Sequence, residues 1–147
     1  MENIFEKHKK KFLEYIKNEK NIKVAILFGS YANDTYDENS DVDIAVIYKE
    51  NMDEYEHAGK SIDVSKVFGD TPVDYVDLEK TNIFLQFEII DKGRIIYCEN
   101  EEEFMKFSRQ VQDKYIEMDY ERKKYISYVL REDGEEYGTK QSRRKNS

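Results

Sequence analysis

The sequence predicts an α/β (α+β) fold in which a small mixed β-sheet is flanked by helices. Two short apolar runs, Lys23–Phe28 and Asp41–Tyr48, have strand length and are separated by a polar connection. Stretches with helical spacing precede and follow them, so strands and helices alternate. A long apolar stripe with a period of about seven residues then runs on from Asn100 and predicts a long C-terminal helix. The chain has 147 residues, 39% of them hydrophobic, which suits one domain. Its 12 Tyr and 8 Phe can build the core without a metal or disulfide.

Residues 3–18 carry Ile4, Phe5, His8, Phe12, Tyr15 and Ile16 at helical spacing, with Lys and Glu between them. Val24–Phe28, the longest apolar run, reads as a strand buried on both faces and ends at Gly29-Ser30. Asn33–Ser40 is polar and unpatterned, hence a loop or a short helix followed by a loop, before the second strand at Asp41–Tyr48. From Met52 to Phe68 the residues Met52, Tyr55, Ala58, Ile62 and Val67 predict a second helix, closed by Gly69. A third strand is expected at Val73–Leu78, where Pro72 is tolerated because the first position need not donate. Asn82–Ile90 predicts a third helix, Asp91–Arg94 a turn and Arg94–Tyr97 a short strand. Asn100 followed by three glutamates reads as the capped, acidic start of the last helix. Its stripe comprises Phe104, Val111, Met118 and Tyr125 with Phe107, Tyr115 and Val129 alongside; the second half outruns the expected sheet and points to a partner chain. One domain over 1–132 is expected, followed by a disordered basic tail over 133–147.

Charge limits the partners. With 24 Lys and Arg against 32 Asp and Glu, the net charge of −8 argues against duplex nucleic acid as the main ligand. A small anion carried by a metal remains compatible with it. The single Cys98 cannot form an internal bridge, and no apolar run is long enough for a membrane span or a signal core. A reduced, cytoplasmic protein with no membrane partner is expected.

The chemistry concentrates in Gly29-Ser30, then ten residues, then Asp41-x-Asp43. A glycine lets backbone N–H groups approach a phosphate closely, and the serine adds a hydroxyl donor. Carboxylates two apart on a strand leave the same face, where hard oxygens can share Mg²⁺ with substrate phosphates. Two such ions stabilise the attacking and leaving oxygens of an in-line displacement, and a third carboxylate beside the nucleophile completes the site. Asp74 on the third strand is the residue expected to supply it. Strand alternation allows only one of Asp74 and Asp77 to join, and Asp77 is the alternative if a bulge shifts the register.

This arrangement resembles the DNA polymerase β-type nucleotidyltransferase superfamily. Leu27–Ala32, Ser40–Val46, Val73–Leu78, Phe87–Ile90 and Gly93–Tyr97 together look like the minimal nucleotidyltransferases (MNT) of HEPN–MNT toxin–antitoxin pairs, over about residues 20–130. The resemblance implies a polymerase β-type nucleotidyltransferase fold, two Mg²⁺ ions and ATP as substrate. It further implies transfer of AMP, with release of pyrophosphate, to a tyrosine of a cognate HEPN RNase toxin, which is thereby neutralised. Carried over, Gly29 and Ser30 hold the triphosphate, Asp41 and Asp43 bind metal, and Asp74 completes a metal site and helps deprotonate the acceptor. Where the family carries Arg-Gly after Gly-Ser-Tyr-Ala, this chain has Asn33 and Asp34, which removes a cation beside the triphosphate and adds an anion. Two other readings compete: a non-catalytic antitoxin that blocks its toxin by binding, and a nucleotidyltransferase acting on a small hydroxylated molecule such as an aminoglycoside.

No site role is assigned elsewhere. His8 reads as a core-edge histidine, His57 has no His or Cys companion at metal spacing, and Cys98 reads as a small buried hydrophobe. Tyr115, Tyr120, Tyr125, Tyr128 and Tyr137 read as amphipathic packing, and Lys140, Arg143, Arg144 and Lys145 as a solvated tail.

Overall fold

The first helix, α1 (Ile4–Glu19), starts where the Asn3 side chain accepts the N–H of Glu6 and stops at Lys20, whose φ of 66° is left-handed. Its spacing brings Phe5, Phe12 and Ile16 to one buried face. The computed structural model describes residues 2–133, which divide into one compact unit through Val111 and another from Gln112. In the first, β1 (Ile22–Phe28) runs into a single 3₁₀ turn, Gly29–Tyr31, and β2 (Val42–Tyr48) follows the polar loop. Then come α2 (Glu54–Val67), β3 (Val73–Asp77), α3 (Ile83–Lys92), β4 (Arg94–Cys98) and α4 (Glu101–Asp133).

The four strands form one mixed sheet in the order β3-β2-β1-β4. β1 pairs antiparallel with both β2 and β4, whereas β3, reached through the α2 crossover, lies parallel to β2. Alternation divides the apolar residues between two faces. Ala25, Leu27, Ile44 and Val46 pack with Phe5, Phe12 and Ile16 of α1 and with Val64 and Phe68. Val24, Ile26, Ala45 and Ile47 pack with Leu78, Ile89 and Phe104. β1 and β2 are therefore buried on both sides, as their unbroken apolar runs predict.

Several expectations are corrected in detail. In α2, Tyr55 and Ile62 are exposed by 90% and 60%, so the buried side is set by Val64, with Met52 and Phe68 flanking it. An apolar spacing of three to five residues does not define a single stripe, and the cap at Asp53, which accepts the Glu56 N–H, starts the helix later. The third strand ends at Asp77, because Leu78 turns inward to the second cluster. α3 continues through Lys92, which reduces the expected Asp91–Arg94 turn to Gly93. Cys98 extends β4 and is only half-buried. In α4, Phe104 and Val111 are buried, but Met118 and Tyr125 on the same stripe are exposed, as are Ile116, Tyr120 and Tyr128. Past Asp133 the expected tail lies outside the described residues. Among the described residues no helix is long and apolar enough to cross a membrane.

Gly93 allows α3 to close against the sheet. A Cβ there would stand 2.4 Å from the Ile89 carbonyl oxygen and 2.5 Å from Ile26 Cγ2. Both neighbours are fixed, one by the end of α3 and the other in the core, so overpacking has no outlet. Gly93→Ala is expected to destabilise the fold by about 1–3 kcal/mol. A urea titration checks this, and an unchanged midpoint would contradict the packing argument.

Candidate active site

The site is built where β1, β2 and β3 end or begin together. Gly29 leaves β1 with a φ of +72°, a backbone conformation glycine adopts without strain. It is also the point of closest approach: a Cβ on Gly29 would lie 2.1 Å from Asp43 Oδ2 and 2.9 Å from Asp43 Cγ. Antiparallel pairing places Asp43 beside Phe28, and parallel pairing places Asp74 beside Asp43. Cross-strand partners share a face, so both carboxylates stand on the side of the sheet that carries Ala45 and Ile47.

Asp43 is half-buried, whereas Asp41 and Asp74 are exposed. Its carboxyl is pushed up to about 6, first by burial and then by the negative charges of Asp74 and Asp41. Three acids thus act electrostatically on one point. Among the described residues no three His, Cys, Asp or Glu side chains converge into a protein cage for a metal. Mg²⁺ does not require such a cage, since it is held by one or two carboxylates together with substrate phosphates and water. The hard oxygens, the unneutralised charge on Asp43 and the glycine cradle fit that mode of binding.

The register settles how the two β3 acids differ. Asp77 pairs with Val46, a residue of the opposite face. Its Oδ1 accepts the Glu79 N–H at 3.3 Å, and its Oδ2 lies 4.0 Å from Lys80 Nζ. Asp74 is therefore the β3 carboxylate brought to Asp43, and Asp77 caps the next turn.

The loop between Ser30 and Asp41 is held by its own hydrogen bonds. The Ser30 carbonyl accepts from Thr35 N at 3.0 Å, Asp37 Oδ1 accepts from Asn39 N at 2.8 Å, and the Asp37 N–H donates to Ser40 Oγ at 2.8 Å. Tyr36 stacks on buried Tyr31 with ring centroids 4.4 Å apart. Asp34 has a φ of 61°, the left-handed region that Asp tolerates better than most residues. A backbone suited to glycine is thus adopted here by an aspartate. Beside the loop a cleft of about 710 Å³ is lined by Tyr31, Ser40, Asp41, Thr71 and Pro72, among others.

Two features have no signal in the sequence. Arg94, first in β4, donates from Nη2 to the Tyr31 carbonyl at 3.4 Å, across 63 positions of chain. His57 bridges two strands. Its Nε2 lies 2.8 Å from the Tyr75 carbonyl, which can only accept, so Nε2 carries the proton. In the neutral ring Nδ1 then accepts from the Tyr48 hydroxyl at 2.7 Å, and the ring stacks on Tyr75. His57 is thus a packing residue, as is His8, which meets the Phe68 ring edge-on.

Known proteins share this architecture. The chain is similar, at 24% identity and a TM-score of 0.74, to the crystal structure of a toxin–antitoxin with AMP-PNP, with 83% of this chain and 98% of that one covered. It is similar at 21% identity and a TM-score of 0.69 to tri-AMPylated Shewanella oneidensis HEPN toxin in complex with MNT antitoxin, over 85% of this chain and 98% of that chain. The toxin–antitoxin MntA–HepT gives the same identity, TM-score and coverage. At these identities the likeness establishes a common fold. No curated protein sequence matches the chain. The Polymerase beta, Nucleotidyltransferase family model matches residues 10–102, more than half of the chain and all of the strands that bear the acids. The glycine turn and the paired carboxylates stand within that match, and the chain belongs to the polymerase beta nucleotidyltransferase family.

Proposed function

We propose that residues 1–132 act as a Mg²⁺-dependent nucleotidyltransferase antitoxin that transfers AMP from ATP to a tyrosine of a cognate HEPN toxin and so neutralises it. The observation that carries this reading is the register of Asp43 with Asp74 beside Gly29. It is supported by the structural neighbours, which include a toxin–antitoxin with AMP-PNP and a tri-AMPylated HEPN toxin with its MNT antitoxin. The cytoplasm is the expected setting, where a lone Cys98 stays reduced and ATP is at hand.

In this reading Gly29 and Ser30 hold the triphosphate through backbone N–H groups and the serine hydroxyl. Asp41, Asp43 and Asp74 are the residues that would hold Mg²⁺. When bound, the metal neutralises charge on the phosphates and lowers the pKa of a coordinated hydroxyl. Asp74, exposed at the sheet edge, accepts the proton of the attacking tyrosine hydroxyl, whose ordinary pKa is near 10. The tyrosine oxygen forms a bond to the α-phosphorus, the bond from that phosphorus to the bridging oxygen breaks, and pyrophosphate leaves.

The exposed apolar residues of α4 favour a second contribution, silencing by contact. Intact-mass measurement on the chain purified with its partner, with Mg²⁺ and each nucleoside triphosphate, separates the two. AMP-sized increments on the partner are expected, and they should vanish in the Asp41→Ala, Asp43→Ala double variant. If no mass changes while the double variant still silences the partner, the transferase reading fails and blocking stands. A mass gain on an aminoglycoside instead would move the acceptor to small molecules.

The raised carboxyl of Asp43 gives an independent test. A folded-state value of about 6 against an ordinary 3.8 means that the native state keeps a proton that the unfolded chain has lost. Stability of the metal-free protein therefore falls as pH rises through this interval and stays reduced above it. Asp43→Asn removes the penalty and, allowing for solvent screening, should stabilise the metal-free protein by about 1 kcal/mol at pH 7.5. At pH 4 it should bring little change. Thermal melts in EDTA check the sign, and further stabilisation by Mg²⁺ with ATP is expected in the parent protein only.

A further inference from the structure

His57 does more than pack, because the strand it holds is the one that carries Asp74. Among the described residues β3 is five residues long and pairs with β2 alone, in parallel. The Pro72 carbonyl accepts from Val42 N at 3.1 Å. By alternation the backbone groups of Asp74 and Val76 then turn toward β2, and those of Tyr75 turn toward the edge of the sheet. There the Tyr75 carbonyl is taken by His57 Nε2 at 2.8 Å. The other ring nitrogen accepts from the hydroxyl of Tyr48, the last residue of β2. One imidazole therefore ties the outer side of β3 to the strand that carries Asp43.

The bracket is stiff at both ends. The His57 ring lies flat on the Tyr75 ring, with 5.2 Å between centroids and 13° between planes, and both Tyr75 and Tyr48 are buried. α2 also holds the approach to β3, where Ser65 Oγ donates to the Thr71 carbonyl at 2.7 Å. Asp74, in contrast, is exposed, so its place relative to Asp43 is set by its backbone. The carbonyl held by His57 is one residue away. A metal ligand has to be kept within about 0.5 Å of its working position, and a short strand with hydrogen bonds on one side only does not ensure that by itself.

We propose that His57 is a positioning residue of the site: through the backbone of Tyr75 it holds Asp74 where that carboxylate can share a divalent cation with Asp43. It acts from the other side of the sheet, since it stacks on Tyr75, whose side chain joins the α1 cluster, while Asp74 stands on the opposite face. The neutral ring suits this task, because it offers one donor to the carbonyl and one acceptor to the hydroxyl at the same time. The inference rests on the nucleotidyltransferase reading above, in which Asp74 completes a metal site, and adds the residue that keeps it in place.

The test follows Mn²⁺ binding to the full chain by electron paramagnetic resonance, with saturating α,β-methylene-ATP, in which the reacting bond cannot be cleaved. His57→Phe keeps a ring on Tyr75 and removes both hydrogen bonds. It should weaken Mn²⁺ binding about tenfold, as loss of a group that orients a metal ligand does. Asp74→Asn should cost at least as much, and adding His57→Phe to it should change little further, since the two act through one carboxylate. His57→Gln, which again offers a donor and an acceptor, should restore most of the affinity. Losses that simply add in the double variant would overturn the proposal, as would unchanged Mn²⁺ affinity in His57→Phe. Should His57→Phe fail to fold, Tyr48→Phe, which removes only the hydroxyl, decides the same question alone and combined with Asp74→Asn. If Asp74→Asn itself binds Mn²⁺ as the parent protein does, it is the reading of Asp74 as a metal ligand that fails, and this inference with it.

Discussion

Gly29 and Asp43 compete for a volume that only one side chain can occupy, and the remainder of the site follows from its assignment to the carboxylate. Because Gly29 has no Cβ, Asp43 can stand against the end of β1 instead of turning into solvent. That position is half-buried, which, with the neighbouring acids, raises the affinity of Asp43 for a proton and equally its demand for a cation. The antiparallel register fixes the height of Asp43 relative to the turn, and the parallel register carries Asp74 to the same height. A larger residue at 29 would displace Asp43 and separate the cradle from the carboxylates together. In the proposed function, holding phosphate and holding metal are therefore coupled sterically before any ligand arrives.

Much of this is legible in the sequence because it follows from local periodicity. Asp41 and Asp43 stand two apart at the mouth of an apolar strand, and Gly29 ends another, so their local placement can be read without knowing the sheet. The choice between Asp74 and Asp77 is different in kind. The two lie on opposite faces of β3, and only the pairing of Asp43 with Asp74 shows which face is the site's. The buried side of α2 is unreadable for a related reason: Tyr55, Ile62 and Val64 can each count toward an apolar stripe, and only the placement of the sheet decides which is covered. Arg94 and His57 are less legible still. The partner of Arg94 is a backbone carbonyl far away in sequence, and those of His57 lie on two separate strands, so neither leaves a spacing pattern.

The acidity of the chain fits an enzyme that handles an anionic substrate, although the two have the same sign. A net charge of −8 would repel a free triphosphate, and the acids that cause the repulsion nearest the site are the ones that attract divalent cations. Under the proposed function, substrate recognition then belongs to the metal–nucleotide complex rather than to the nucleotide alone. With Asn33 and Asp34 where the resemblance leads one to expect Arg-Gly, the loop brings no cation of its own to that complex, and Asp34 adopts a left-handed backbone there.

Among the described residues the order β3-β2-β1-β4 places β3 and β4 at the edges of the sheet, and an unpaired edge can template the addition of a foreign strand. Both edges are short, five residues each, and both carry charge: Asp74 and Asp77 on β3, Arg94 on β4. An incoming strand would have to desolvate these groups in order to pair. Charge at both edges thus disfavours a fifth strand and keeps the sheet at four.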